Sequence, residues 1–507
     1  MIAYIIRRLL LMIPTLIGIT FLVFMLIALS PGGIGAAMRA SGGQMEATSR
    51  ALREAYLDDR YGLDDPPLVQ YVRWLGRVSP IKFGSRDQID PTGEFVRSPK
   101  PVKAPPAWQK FADQLPTAEE PPAFAFAPDA TPEEKSRTYR RQANIYANAR
   151  QGLIQSRTAF ELALEKAAEL QGLSRLRNDK GRLRHDKIEA AGVFENAPNR
   201  DELAALGRAM LDAYANALTE REKLRVVFEA RPYPQAGFGL VPGLWISWPD
   251  FGVAFSRSRP VLDLIREALP VTVLLNLIAV PIIYFIAIPC GLLAAVRSGG
   301  VFDRFSGAAF IALWSFPIPL AGVLAVGYLA NNQYLGWFPV SGMHDANADT
   351  FTWLPTTIDG VWHRGYVLDT LWHMVLPVMC LVYGGFAVLS KQTRAAMLDN
   401  FNMDYVRTAK AKGVASKDIV MRHVFCNSLL PLITLFVSIF PAMLAGSVVI
   451  EQIFTVPGMG RLTLEAINQR DRELLLANTL MVSAVNLLAL LLADILYAMA
   501  DPRISYE

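Results

Sequence analysis

Ala268–Val296 reads ALPVTVLLNLIAVPIIYFIAIPCGLLAAV, 29 residues without one Asp, Glu, Lys or Arg. A helix that crosses a bilayer needs about 20 mainly apolar residues, so this stretch is long enough to cross once. Five further runs are free of the same four residue types: Leu9–Met38 (30 residues), Phe305–His344 (40), Thr370–Ser390 (21), His423–Ile450 (28) and Leu474–Ala493 (20). The 40-residue run reads as one span plus a turn around Asn331–Gly336. Six spans follow, and the sequence predicts an all-α polytopic membrane protein.

Composition agrees with that reading. At about 150 residues per domain, 507 residues would suggest three soluble domains. Yet 52% of the chain is apolar and only 19% charged, against about 25% charged in ordinary globular chains. A soluble enzyme, a disordered scaffold and a nucleic-acid binder are excluded. The three cysteines, Cys290, Cys380 and Cys426, lack CxxC spacing and read as small apolar fillers rather than a disulfide framework or metal site. The first run follows Arg7-Arg8, but it exceeds the length of a signal-peptide core and no convincing A-x-A site follows, so it reads as a retained span.

Basic residues in the short loops set the orientation. With the N-terminus in the cytoplasm, Arg7, Arg8, Arg297, Arg304, Lys391, Arg394, Arg407, Lys410, Lys412, Lys417, Arg422 and Arg503 lie inside, twelve in all. Only four, Arg364, Arg461, Arg470 and Arg472, lie outside beyond the long loop after span one. Both termini are therefore expected inside, with Lys412 cytoplasmic and Lys180 external.

The long loop has its own texture. Ten prolines between Pro91 and Pro132 favour extended backbone without a packed core. Beyond them, Ile145, Ala149, Leu153, Phe160, Leu164, Ala168 and Leu170 recur at mostly helical spacing, as do Leu203, Leu206, Met210, Tyr214, Ala217, Leu224 and Phe228. An antiparallel hairpin of Glu133–Leu173 and Asp201–Glu229, joined by the polar link Leu176–Asn199, is the simplest reading. It is either a packing and solubilising insert or a docking surface for a soluble partner or substrate. No strand-rich segment is evident. Within the spans, Pro14, Pro281, Pro289, Pro317, Pro319, Pro377 and Pro441 point to a bundle that moves around a pathway, or to static kinks.

Catalytic and nucleotide signatures are missing from the sequence. It has no GxxxxGK[ST] loop, no HExxH, no GxSxG and no paired Cys/His ligands. The histidines His185, His344, His363, His373 and His423 are scattered and suit structural roles. Asp494 is the acidic residue nearest a span interior, whereas an ion-coupled transporter places ionisable groups mid-membrane. No catalytic residue, metal ligand or cofactor is expected, and nothing marks substrate-binding residues.

The informative segment lies between spans four and five. Asp404-Tyr405-Val406-Arg407-Thr408-Ala409-Lys410-Ala411-Lys412 reads as a short basic helix with small residues interleaved. Gly413 stops it, with Lys410 and Lys412 in its last turn, and Ser416 is placed to cap a second helix. A helix–Gly–helix element of this kind suits a groove on another protein, or is an ordinary basic loop that holds orientation.

DYVRTAKAKGVASKDIVMRHVFCNSLLPLI, from Asp404, resembles the coupling-loop (EAA-type) signature of ABC importer permeases in their dipeptide, oligopeptide and nickel form. The opening YIIRRLLLMIPTLIGITFLVFMLIALSPGG, RYGLDDPPLVQYVRWLG (Arg60–Gly76), VLDLIREALPVTVLL (Val261–Leu275), PGMGRL (Pro457–Leu462), NQRDREL (Asn468–Leu474) and the final ADPRISYE are similar to that family too. LWHMVLPV (Leu371–Val378), GGFAVL (Gly384–Leu389) and SGGVFDRFS most resemble its Yej-type peptide importers. The loop has Arg407-Thr408-Ala409 in place of Glu-Ala-Ala, and Ser79–Pro249 stands as an insertion that the resemblance does not cover.

The resemblance implies a type I importer permease fold with six spans. Residues 1–38 are then the first span, and 39–265 an extracytoplasmic region with a Pro-rich linker (91–132) and a helical hairpin (133–230). The permease domain is 266–500 with its cytoplasmic coupling loop at 399–425, and 501–507 is a cytoplasmic tail. Asp404, Tyr405, Arg407, Thr408, Ala409, Lys410, Ala411, Lys412 and Gly413 would form the ATPase-coupling element. The implied function is ATP-driven import of di- or oligopeptides across a bacterial inner membrane. The implied partners are a second permease in a heterodimer, two ABC ATPase domains that bind the ATP, and an extracytoplasmic substrate-binding protein. Import of nickel, opines or sugar derivatives is the alternative within the class. A passive channel, or a membrane enzyme or assembly factor that acts through the insertion, is the rival outside it.

Overall fold

The computed structural model describes residues 2–30, 65–437 and 447–500, apart from 94, 174, 178–182, 242, 255–256, 258 and 359–360. Lys180, Pro441, Arg503 and the tail 501–507 lie outside the described residues, as do 60–64 of the segment after span one. The chain divides into two compact units, residues 1–24 with 252–507, and residues 25–251.

In chain order the helices are α1 (Ile2–Leu29), α2 (Pro67–Val78), α3 (Pro132–Leu170), α4 (His185–Ala190), α5 (Val193–Asn196), α6 (Arg200–Glu229), α7 (Val261–Val296), α8 (Val301–Ser315), α9 (Ile318–Leu324) and α10 (Gly365–Phe401). Then come α11 (Asp404–Ala411), α12 (Ser416–Asp418), α13 (Leu429–Val437), α14 (Val448–Ile453), α15 (Met459–Gln469) and α16 (Arg472–Ala500). Short strands are β1 (Ile81–Phe83), β2 (Gln88–Ile89), β3 (Phe95–Val96), β4 (Phe238–Val241), β5 (Leu244–Ile246), β6 (Thr356–Ile358) and β7 (Val361–His363).

Among the described residues, four helices are long and apolar enough to cross a membrane: α1, α7, α10 and α16. A fifth candidate is bent. α8 and the segment Ile318–Ala330 pass the same test jointly but meet at 82°. The break falls at Phe316-Pro317, where Pro317 sits extended at φ −64°, ψ 129° and cannot donate a helical hydrogen bond. The sequence reading missed this bend, although it marked Pro317. The turn at Asn331–Gly336 is present: the Gly336 N–H donates to Asn331 O at 3.1 Å, with Gly336 at φ +56°. The run His423–Ile450 supplies α13 and then passes through 438–446, outside the described residues.

The long helices pack through small residues. A side chain on Gly291 of α7 would lie 2.6 Å from the Ser390 carbonyl oxygen of α10, and one on Gly385 would lie 2.6 Å from Ile283. The two backbones therefore approach closely, as small residues allow in membrane bundles. Arg8 and Tyr4 of α1 meet Asp494 of α16, at 3.1 Å and 2.8 Å. The acidic residue near the end of the last span is thus paired.

In the unit 25–251, α3 and α6 form an antiparallel pair, with Gln142 of α3 bonded to Glu220 of α6 and Ser136 to Tyr233 just beyond it. Thr131 and Glu134 form a reciprocal capping box in front of α3, with Pro132 at the first helical position. Phe160, Leu164, Ala168, Leu203, Met210 and Tyr214 make the core, and Ile188 and Val193 from the link between the helices are fully buried with them. Ile145 and Leu170 are exposed instead, so the helical stripe is narrower than the sequence pattern suggested.

Two expectations need correction in this unit. The Pro-rich segment does pack: Val102, Phe111 and Leu115 lie on the helical core, and Phe111 sits edge-on to Phe160 at 5.3 Å. Gly207 admits that ring, since a side chain there would overlap it. Strands are also present, in a three-stranded sheet of order β1-β5-β4 whose Trp245 is buried on one face. These strands are two to four residues long, too short for a period-two signal to stand out. Gly252 belongs to the unit that holds α7, where its carbonyl accepts the Val261 N–H at 3.0 Å.

Candidate functional site

The segment 399–425 is built on the ends of α7 and α10. Asn402 closes α10, and the chain turns through Met403 into α11. Two side chains of α11 point inward at i, i+3 spacing. Val406 and Ala409 are buried in a cluster with Ala295 of α7, Met397 of α10, and Ile419 and Val424 of the turn that follows. Asp404, Tyr405, Arg407, Thr408, Lys410, Ala411, Lys412 and Gly413 are exposed. Ala409 is therefore spent on packing within its own chain, and the open face of α11 is carried by its neighbours.

The end of α11 shows why glycine is needed. Gly413 adopts φ +73°, its N–H donates to Lys410 O at 3.0 Å, and the Val414 N–H donates to Ala409 O at 3.2 Å. This double bond pattern is the Schellman close, completed by packing of Val414 on the cluster that holds Ala409. The expected cap at Ser416 is not made. Ala415 occupies the capping position without a side-chain bond, Ser416 is already helical, and the chain continues as a π-helical turn over Ile419–Phe425. Cys426, read as an apolar filler, is exposed there, and its thiol lies 3.3 Å from Met421 O.

Asn400 and Ser428 hold this element, and sequence reasoning missed both. Asn400 Oδ1 accepts the Tyr405 hydroxyl at 2.7 Å, and its Nδ2 donates to Ser428 Oγ at 3.1 Å and to Ala396 O at 2.9 Å. Ser428 Oγ in turn reaches Ala396 O and Val424 O. Arg394 makes a bidentate pair with Asp303, at 2.6 and 2.7 Å, and Asp303 also accepts the Gly299 N–H at 2.9 Å. The SGGVFDRFS turn is thereby fixed to α10 through a geometry that suits guanidinium and carboxylate. Asn400 stands in the polar run Asp399-Asn400-Phe401-Asn402, where nothing local separates it from its neighbours.

A second polar knot lies at the start of α7. Glu451 of α14 is fully buried; its carboxylate accepts the Thr272 hydroxyl at 3.0 Å and the Arg461 N–H at 2.9 Å. Thr272 Oγ1 also accepts the Met459 N–H at 2.8 Å. Gly458 and Gly460 of PGMGRL pass so close that any side chain at 458 would overlap the carboxylate. The motif is a backbone cradle for one buried acid. Two histidines make structural contacts as well: His344 bridges Thr370 and Tyr366, and His373 faces Asp369.

The geometry amounts to a short basic helix, open on one face and pinned by the other to two long apolar helices. Residues 287–506 match the family model for the binding-protein-dependent transport system inner membrane component. The chain is similar to the inner membrane ABC transporter permease protein YejB of Escherichia coli O157:H7, at 38% identity over 51% of this chain and 68% of that protein. It is 38% identical to the oligopeptide transport system permease protein AppB of Bacillus subtilis (strain 168), over 51% of this chain and 76% of that one. It is 34% identical to the peptidoglycan transport system permease protein YejB of Agrobacterium fabrum, over 51% of this chain and 68% of that one. The chain belongs to the family of inner membrane components of binding-protein-dependent transport systems.

Proposed function

We propose that the chain imports peptides or peptide-like solutes as one permease of an ATP-driven transporter, with α11 as the element that receives motion from the ATPases. It is a non-catalytic subunit; ATP is bound and hydrolysed by its partners. The observation that carries the reading is the placement of α11. Its outer face is free and basic, and its inner residues Val406 and Ala409 pack on the ends of α7 and α10. A displacement of α11 is thereby passed to both helices, which is how a two-state bundle is biased from a distant site.

The names of the relatives, for oligopeptide and peptidoglycan transport, favour peptides, including peptides joined to sugars, over nickel or opines. In this reading six spans place both termini and α11 in the cytoplasm. A second permease completes the pathway, two ATPase domains sit beneath, and a soluble binding protein delivers solute from outside. Residues 39–265 are extracytoplasmic. Cysteines at Lys412 and Lys180, challenged with an impermeant maleimide on spheroplasts, should label only at 180; labelling at 412 alone would invert the topology.

The direct test is reconstitution of the chain with its second permease, ATPases and binding protein in proteoliposomes. ATP-dependent uptake of a labelled tripeptide or muropeptide, without uptake of nickel or an opine, is expected. Nickel or opine uptake without peptide uptake would overturn the solute class, and uptake without ATP would overturn the mechanism.

A further inference from the structure

The small sheet of the unit 25–251 has two unlike faces. Ile81, Ile246 and Phe238 form one cross-strand row, and Phe83, Leu244 and Val241 form the next. The opposite face carries Lys82 and the buried Trp245. The first face is bare: Phe83 is 82% exposed, Phe238 71%, Val241 59% and Ile81 47%, and Trp248, just beyond β5, is 84% exposed. It holds no charged residue. An apolar patch of this kind on a soluble surface marks a contact with protein or membrane.

Chain length points to the membrane. Gly252 is held at the first turn of α7 by the bond from the Val261 N–H. Trp248 is four residues from Gly252, so it lies no more than about 14 Å from that point however the insertion is turned. The uncharged run of α7 starts at Ala268, seven residues or about 10 Å further along the helix. The headgroup layer is roughly 5–7 Å deep on each side of the hydrocarbon. Trp248, at the end of β5, is thus tethered within reach of the water–lipid boundary, the zone that Trp and other aromatic residues favour. β1 and β4 are edge strands, whose open backbone groups need water, so such a sheet can rest on a bilayer surface but not enter the hydrocarbon.

We propose that this face, with Phe83, Phe238, Val241, Ile246 and Trp248, is a lipid-docking surface that seats the insertion on the membrane crossed by α7. The proposal rests on α7 being a span, and the test checks that separately.

The full-length chain, in a C426S background and one copy per phosphatidylcholine nanodisc, is labelled with an NBD fluorophore at F83C or F238C. Lipids with a shallow doxyl group should quench both labels, and aqueous iodide should quench them severalfold less than a label at E189C on α4. An I282C label on α7 should be quenched by a deep doxyl lipid, which establishes the span whatever the sheet does. Iodide quenching at 83 and 238 equal to that at 189 would overturn the proposal. Protection from both iodide and doxyl lipid would also overturn it, since protein would then cover the face.

Discussion

The Val414 N–H donates to the carbonyl of Ala409 at 3.2 Å, across a glycine at φ +73°. This bond closes α11 and turns the chain so that Val414 covers the cluster beneath. Space does not limit the turn, because a side chain on Gly413 would meet nothing within 4 Å. The constraint is conformational. Gly413→Val should cost about 1–3 kcal/mol, whereas Gly413→Asn, which tolerates the left-handed region, should cost less. Uptake should fall with Val and be largely kept with Asn. Equal loss in both would place the role of Gly413 in a partner contact rather than in the turn.

α7 and α10 depend on their close approach at Gly291. A methyl group there would sit 2.6 Å from the Ser390 carbonyl and 2.7 Å from Thr393 Cβ, so the helices must part. Gly291→Ala should lower stability by about 1–3 kcal/mol, the usual range for overpacking. Gly307→Ala on α8, where nothing lies within 4 Å, is the matched control and should be neutral. Thermal unfolding in detergent reads both; an unaffected Gly291→Ala would refute the tight packing.

Thr272 both donates to Glu451 and accepts from Met459, so Thr272→Val leaves a buried carboxylate and a buried N–H each short of a partner. The expected loss is about 1–3 kcal/mol. Thr272→Ser keeps the hydroxyl and should restore most of it. Melting temperatures of the three forms rank wild type, Ser and Val in that order, and a Val variant as stable as wild type would sink this account of PGMGRL.

Acid should loosen the insertion at one site. Burial alone would raise the Glu161 carboxyl, but hydrogen bonding from His185 and the Arg157 guanidinium at 2.8 Å hold it down to about 2. A carboxyl depressed on folding stabilises fully above its unfolded range, near 4.5, and that contribution is lost as pH falls toward 2. Hydrogen exchange around Glu161 in α3 should therefore speed up across that window in the intact chain. In Glu161→Gln the same region should be weaker at neutral pH and flatter in acid. An unchanged profile in the Gln variant would assign the acid response elsewhere.

Long apolar runs and α11 were legible because their signals are local: absence of charge over 20 residues, and a glycine after a short basic helix. The bend at Pro317 was not, since proline occurs inside the long helices α7 and α10 as well. Only the neighbours decide whether the freed carbonyls are met in place or the chain breaks. Likewise, nothing local separates Ala409 from Ala411: two small residues, two positions apart, and only the helix docked on Ala295 and Met397 shows that one is covered and the other open. Asn400, Arg394 and Glu451 act through partners 28, 91 and 179 residues away, beyond any local pattern.

That difference between Ala409 and Ala411 gives the most direct test of the central claim. A photo-crosslinking amino acid is placed at 411, at 407 or at 409 in the transporter assembled in native membranes. Positions 407 and 411 should crosslink to the ATPase subunit, with yields that change on adding ATP, while 409 should capture only its own chain. Absence of ATPase crosslinks from 407 and 411, with the subunits otherwise associated, would contradict the assignment of α11 as the coupling element.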